Sequence, residues 1–278
     1  MHRWGYTPSI ETLADELLGG TITQAELRTA IVDDPRFHVV DGFVCLRGFE
    51  GLAETSCLRT ATNRLLGQDA RAIAREYARE LLRACPIVDC IGMSGSLASG
   101  GFGPDDDIDF DLFVEDGAKY LVYAFALALG FRTSLRHANG GGLRKLICIN
   151  VVWTRQQTFP FERTDEALAF ELLHCSPIFG GAHFERVIEG NPWVTALFPQ
   201  ITRRTLGREP VPEPSLVGRV LRWIVKHPRL LRPIEATARA LSFAGYTLVH
   251  WFKRHDEEAR ERLAFLQRVK YPYEVFQD

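Results

Sequence analysis

Apolar and polar positions alternate along the first fifty residues in a way that predicts two helices and a hairpin. Helical spacing predicts an amphipathic helix at residues 9–18 and a second one at residues 23–32, which opens with a capping box. Two short apolar runs around Asp41-Gly42 then predict a β-hairpin at residues 38–46. Helix, helix and hairpin together predict a winged-helix-like unit over residues 1–55.

The middle of the chain combines helix-like and strand-like patterns. Helical spacing predicts helices at residues 70–84, 119–129, 165–174 and 182–189, and apolar runs predict strands at residues 87–91 and 107–114. Two further extended runs, residues 131–136 and 144–153, flank a glycine-rich segment and predict a second hairpin. We therefore expect a mixed α/β sheet, of the α+β class, within a core spanning residues 56–208.

Prolines at positions 210, 212 and 214 predict a linker, because proline cannot continue a helix. Residues 209–278 then form a C-terminal helical region, rich in Leu, Val, Trp and Arg over residues 216–252 and strongly charged over residues 256–270. Such amphipathic helices pack on their own protein or on a second subunit. The same composition also suits peripheral contact with a membrane surface, or with RNA.

Composition limits the classes of function. The 278 residues are 46 % hydrophobic and 24 % charged, which is typical of a globular protein and not of a disordered one. The net charge of −2 gives no overall attraction to nucleic acid, so specific DNA binding is not expected. There is no apolar run of transmembrane length, and the six cysteines form no C-x-x-C pair, so we expect a cytoplasmic protein with reduced thiols.

The candidate chemistry lies between residues 92 and 114. Asp107 and Asp109 are two positions apart in a strand, so both carboxylates face the same side about 7 Å apart and can reach one cation, of which Mg²⁺ is the expected one and Mn²⁺ an alternative. Upstream, Gly95 and Ser96 follow a short strand, where a glycine allows close backbone approach to a phosphate and the hydroxyl can donate to it.

Each half of this pattern also has an ordinary interpretation. A Gly-Ser pair is common in turns, and Asp-x-Asp occurs on solvated strand edges and as a turn cap. The functional interpretation rests on both halves occurring in this order, about ten residues apart.

These residues resemble the signature of the DNA polymerase β-like nucleotidyltransferase superfamily, particularly its small prokaryotic members with Gly-Ser-Leu-Ala-x-Gly and Asp-Ile-Asp elements. The resemblance covers about a tenth of the chain, and residues 145–153 and 166–180 also look like stand-alone nucleotidyltransferase-domain proteins. It implies that Gly95 and Ser96 hold the β and γ phosphates of an NTP and that Asp107 and Asp109 bind Mg²⁺. An acceptor hydroxyl then attacks the α phosphate, and pyrophosphate leaves.

The chain departs from this family pattern at the third carboxylate, which active members carry on a neighbouring strand. Our hypothesis is that Asn150 takes this position here, with Glu115 or Glu162 as unrecognised alternatives. Asp111 shares the face of the acid pair but lies about 13 Å from Asp107 along an extended strand, too far for one shared ion. An amide supplies neither charge nor a base, which makes Asn150 the weak point of the expected site.

Four basic residues surround the second predicted hairpin: Arg132, Arg136, Arg144 and Lys145. One or two of them, with Lys145 as the chosen candidate, are expected to meet triphosphate charge. A solvated hairpin end explains the same cluster equally well.

Two functions therefore remain open from the sequence. The first is an Mg²⁺-dependent nucleotidyltransferase that moves a nucleoside monophosphate from an NTP, with ATP expected, to a hydroxyl on a small molecule, a protein or RNA. The second is a catalytically weak nucleotide-binding or regulatory module on the same fold.

Overall fold

The computed structural model describes residues 7–137, 146–203, 209–252 and Glu257. The helices are α1 (Ile10–Asp15), α2 (Gln24–Asp33), α3 (Glu50–Ala84), α4 (Gly95–Ala98), α5 (Lys119–Arg136), α6 (Arg155–Thr158), α7 (Glu166–His174), α8 (Gly181–Glu189), α9 (Pro192–Leu197), α10 (Leu216–Val225) and α11 (Pro228–Phe252). The strands are β1 (Phe37–Val40), β2 (Phe43–Leu46), β3 (Val88–Ser94), β4 (Ile108–Val114), β5 (Ile147–Thr154) and β6 (Ser176–Phe179). A 3-10 helix covers Pro199–Arg203.

Local sequence signals explain the start of the chain. The Thr23 side chain accepts from the Glu26 backbone N–H while the Glu26 carboxylate accepts from the Thr23 N–H, so the predicted capping box of α2 is confirmed. Asp41 and Gly42 have positive φ values of 50° and 82°, as a two-residue hairpin turn requires. The predicted hairpin is therefore confirmed as the antiparallel pair of β1 and β2.

A mixed four-stranded sheet forms the centre of the fold, in the order β5-β4-β3-β6. β3 pairs antiparallel with β4 and with β6, whereas β4 pairs parallel with β5. Buried residues of α3 and α5 pack on one face of the sheet, and buried residues of α7, α8 and α9 pack on the other. The expected mixed α/β architecture is thus present, with helices covering both faces of the sheet.

The prediction of a second hairpin was wrong. Residues 131–136 are the last turns of α5, which buries Ala126, Gly130 and Thr133 at helical spacing. Because α5 forms the crossover between β4 and β5, these strands are parallel, and no tight antiparallel turn joins them. The glycine-rich segment proposed as the turn lies outside the described residues.

α3 connects the N-terminal unit to the sheet, and the predicted boundary after residue 55 falls inside this helix. The N-terminal unit has its own small core and also contacts the helical layer that contains α7. The Gln200 amide donates to the backbone carbonyls of Leu17 and Gly20 at 2.7 Å each, and His174 lies 3.1 Å from the Glu16 carboxylate. These contacts fix the unit beside α7 and the 3-10 helix.

The C-terminal helices dock on the opposite layer. α11 packs along α5, and its Glu235 carboxylate accepts from the backbone N–H groups of Tyr120 and Leu121 at 2.7 and 2.8 Å. These are among the N–H groups in the first turn of a helix that lack an intrahelical partner, so Glu235 caps α5 from a distant part of the chain. In the described part of the chain, no helix is both long enough and apolar enough to cross a membrane.

Candidate functional site

The site lies where β3 and β4 run side by side. Ser94 is the last residue of β3 and pairs with Asp109 of β4. Odd-numbered residues of β4 face the α7 layer, whereas the even-numbered ones enter the core under α3 and α5. This alternation sends Asp109 and Asp111 to one face, as the pattern of the sequence indicated.

Two carboxylates and one thiol meet at the edge of this face. Oxygen atoms of Asp107 and Asp109 and the Cys148 sulfur all lie within 4.8 Å of one another, and all three residues are half-buried. Cys148 is brought here by the strand register, because it is the residue of β5 paired with Asp109. Two oxygens on opposite sides of one Mg²⁺ lie about 4.2 Å apart, so a small rotation suffices for both carboxylates to hold one ion.

Gly95 lies directly against the Asp109 carboxylate. A Cβ on Gly95 would lie 2.1 Å from Asp109 Oδ2, and the backbone there has a φ of +62°, a left-handed conformation that glycine adopts without strain. The absence of a side chain at Gly95 therefore permits the observed position of Asp109. The glycine predicted to hold a phosphate and the acid predicted to hold the metal are in direct contact.

A chain of hydrogen bonds crosses three strands beneath the acid pair. The Asn150 amide donates through Nδ2 to Ser94 Oγ at 2.9 Å, and the Ser94 hydroxyl donates to Asp111 Oδ1 at 3.0 Å. Asn150 reaches across β4 because β5 has a bulge: Phe110 pairs with Ile149, and Asp111 already pairs with Val151. Asn150 thus contacts the end of β3, while Cys148 is the β5 residue beside Asp109.

Asp111 is fully buried and faces Glu171 of α7. Burial first, and then the charge of Glu171, raises the pKa of the Asp111 carboxyl well above its ordinary value, while the hydrogen bond from Ser94 acts in the opposite direction. In the folded protein Asp111 therefore keeps its proton at pH values where the unfolded chain has lost it. Its contribution to stability must fall as the pH rises above about 3.8, the ordinary pKa.

Arginines of α3 border the loop that follows Gly95. The Arg71 guanidinium donates to the Leu97 carbonyl at 3.0 Å, and Arg59 Nη2 lies 3.3 Å from the Cβ position of Gly103. The half-buried Ser96 is the second residue of α4, and its carbonyl accepts from the Gly101 N–H at 2.8 Å. Positive charge is thus available beside the Gly-Ser turn.

The other predicted basic residues lie elsewhere or are not described. Arg136 is at the end of α5, where it donates to Glu80 of α3 at 3.0 Å. Lys145 and Arg144, proposed for the triphosphate, lie outside the described residues. Glu115, one of the alternative third acids, lies 3.7 Å from Arg155.

Sequence reasoning missed Cys148, Ser94 and Glu171. A signal existed for Cys148, because it is two residues before Asn150 in the same strand pattern. Glu171 shares the apolar face of α7 with Leu168, and a carboxylate at such a position indicates a buried partner. For Ser94 the sequence offered only its place next to Gly95.

A scan of family models, a search of curated proteins and a search of solved structures found no match to this chain.

Proposed function

We propose that this protein is an Mg²⁺-dependent nucleotidyltransferase that transfers a nucleoside monophosphate from an NTP to an acceptor hydroxyl and releases pyrophosphate. The proposal includes a nucleotidyltransferase core for the sheet region and a winged-helix assignment for the N-terminal unit. ATP is the proposed donor, and the acceptor is a hydroxyl of a small molecule, a protein or RNA. The proposed setting is the cytoplasm.

One observation carries the proposal: the Asp107 and Asp109 carboxylates converge beside Gly95. Two acids on one strand edge suit Mg²⁺, which is usually held by one or two carboxylates together with substrate phosphates. A glycine against the same acids allows a phosphate to approach the backbone closely. Both elements that the resemblance implies therefore occur within one small region.

Each residue of the site has its own role in the proposed reaction. Asp107 and Asp109 would hold Mg²⁺, which supplies Lewis-acid stabilisation of the phosphate charge when it is bound. The Ser96 hydroxyl is suited to donate to a phosphate oxygen, and Arg71, which donates to the carbonyl of the next residue, supplies positive charge near it. Beneath them, Ser94 and Asn150 brace the strand end.

The alternative, a nucleotide-binding module with little transfer activity, is favoured by the β5 residues. The two β5 residues of the site are Cys148, which pairs with Asp109, and Asn150, which donates to Ser94. Neither of them carries a carboxylate. A thiolate is a softer ligand than Mg²⁺ prefers. If the third carboxylate is required for activating the acceptor, the protein binds NTP without turning it over.

The test uses the full-length protein with α-labelled ATP, Mg²⁺ and a panel of hydroxyl acceptors. We expect labelled acceptor and pyrophosphate, both abolished in Asp107→Asn and Asp109→Asn. Asp105→Asn is the matched control, because it removes a neighbouring exposed charge that lies outside the three-residue cluster.

Calorimetric titration of ATP with and without Mg²⁺ separates the outcomes. Mg²⁺-assisted ATP binding without pyrophosphate would establish the binding module instead of the transferase. Failure of the wild-type protein to bind ATP with Mg²⁺ would reject both functions, and so would equal binding by the Asp107 and Asp109 variants.

A further inference from the structure

α10 exposes an apolar stripe to solvent. Leu216, Val220 and Trp223 recur at intervals of four and three residues, so they form one line along the helix. Leu216 is 73 % exposed and Trp223 is 54 % exposed, and Val217 beside them is 51 % exposed. A stripe of this kind is normally the buried side of an amphipathic helix.

The helix already uses its other side for folding. Gly218 and Leu221 are buried, and a Cβ on Gly218 would lie 2.3 Å from the Arg83 carbonyl oxygen of α3. These residues lie on the side of the helix opposite Leu216, Val220 and Trp223. The exposed stripe is therefore not a consequence of loose docking, because α10 is held tightly by its opposite face.

Basic residues flank the stripe. Arg219 and Lys226 lie beside it on one side of α10, and both are exposed. Across the whole of residues 216–252 there are six arginines and lysines but only one carboxylate, Glu235. That carboxylate faces the first turn of α5, so it does not neutralise the surface.

The chemistry of this face fits an anionic lipid surface. Aliphatic side chains and a tryptophan enter the boundary between headgroups and acyl chains, while arginine and lysine beside them meet negative headgroups. A second copy of the chain fits less well, because a two-fold contact would oppose the same positive charges. RNA fits less well because Trp223 is the one residue of the stripe with a ring on which a base could stack, and the others are aliphatic.

We propose that α10 is a peripheral membrane-docking helix that places Leu216, Val220 and Trp223 at the surface of an anionic bilayer. Docking holds the protein on the membrane through its C-terminal helices. The acid cluster lies at the ends of β4 and β5 that are far from these helices. This inference does not depend on the proposed transferase activity.

The test is co-sedimentation of the full-length protein with vesicles of phosphatidylcholine containing roughly 30 % phosphatidylserine, compared with phosphatidylcholine alone. We expect binding to the anionic vesicles that weakens with added salt. Arg219→Glu with Lys226→Glu should lower the affinity by at least about 25-fold, since each basic residue near such a surface contributes about fivefold. Val220→Ser with Trp223→Ser, which removes the apolar side chains, should abolish binding.

Two matched controls carry equal changes on other surfaces. Arg28→Glu with Arg47→Glu alters charge by the same amount on the N-terminal unit, and Leu58→Ser with Leu65→Ser removes exposed apolar side chains from α3. Both controls should bind vesicles like the wild type. Circular dichroism and thermal unfolding confirm that each variant is folded.

Several outcomes would overturn the proposal. Wild-type protein that stays in the supernatant with anionic vesicles rejects it, and so does binding that the α10 variants retain. Tighter binding to an RNA oligonucleotide, lost in the same variants, would assign the face to nucleic acid. A dimer in light scattering that the Val220 and Trp223 changes dissociate, without vesicle binding, would assign it to a second copy.

Discussion

Replacing Gly95 by alanine tests whether the position of Asp109 depends on the glycine beside it. The first effect is conformational: left-handed backbone costs an L-residue about 1 to 2 kcal/mol, offset by roughly 0.4 to 1 kcal/mol because alanine also restricts the unfolded chain. The second is steric: the new Cβ would lie 2.1 Å from Asp109 Oδ2 and 3.0 Å from its Cγ. The carboxylate must therefore leave its place beside Asp107.

Gly100 offers a control with the same backbone and no clash. Its φ is +79°, close to the +62° of Gly95, and no heavy atom of the described residues lies within 4 Å of its Cβ position. Both variants should lose about 1 kcal/mol in the free energy of unfolding, measured with urea. Only Gly95→Ala should weaken Mn²⁺ binding, followed by electron paramagnetic resonance, by about 10- to 100-fold.

Equal metal affinity in the two alanine variants would refute the reasoning, because it would mean that the Asp109 carboxylate is not part of a cation site or moves without consequence. A loss of several kcal/mol in Gly95→Ala would also contradict it. Such a loss would show that the Asp109 side chain cannot rotate away, so that the clash destabilises the folded protein instead of displacing the carboxylate.

Three further predictions concern a buried acid, a helix cap and the metal preference of the site. Asp111→Asn should gain stability relative to the wild type as the pH rises above about 4, by up to about 1.4 kcal/mol per pH unit until the wild-type carboxyl ionises; urea unfolding across pH measures this. Glu235→Ala should lower stability by about 2 kcal/mol, because two N–H groups of α5 lose a charged acceptor; amide hydrogen exchange in its first turn should accelerate. Cys148→Ser should weaken Zn²⁺ binding while leaving Mg²⁺ affinity largely unchanged, as competition titrations can show.

Each of these has a control and a contradicting outcome. Asp69→Asn changes an exposed acid of α3 and should leave the pH dependence of stability unaltered. If the stability of Asp111→Asn changes with pH in parallel with that of the wild type, this would contradict the raised pKa of Asp111. Glu213→Ala changes an exposed linker acid and should leave the amide hydrogen exchange of α5 unchanged. If the first turn of α5 exchanges at the same rate in Glu235→Ala as in the wild type, the cap is dispensable. Unchanged Zn²⁺ affinity in the Cys148 variant would show that the thiol does not contribute to metal binding.

Signals that act between neighbouring residues were sufficient to predict much of the fold. The capping box at Thr23, the turn at Asp41-Gly42 and the helical spacing of α7 and α8 all gave elements that the structure confirms. The prediction failed at residues 131–136, where the glycine-rich segment that follows favoured a hairpin. These residues instead continue α5, whose Gly130 packs closely against Ile147 of β5, a contact that no pattern of neighbouring residues records.

The candidate site shows the same division. The sequence by itself determined that Asp107 and Asp109 share a face and that a glycine precedes them, because strand alternation is a property of the backbone. Only the tertiary structure decided which β5 residue stands beside Asp109, because that depends on strand register. Cys148 pairs with Asp109, and the bulge after Ile149 leaves Asn150 without a partner residue on β4, from where its amide donates to Ser94. Likewise, Asp111 and Glu171 meet because two layers pack together, and no local pattern records which side chains a packed interface brings into contact.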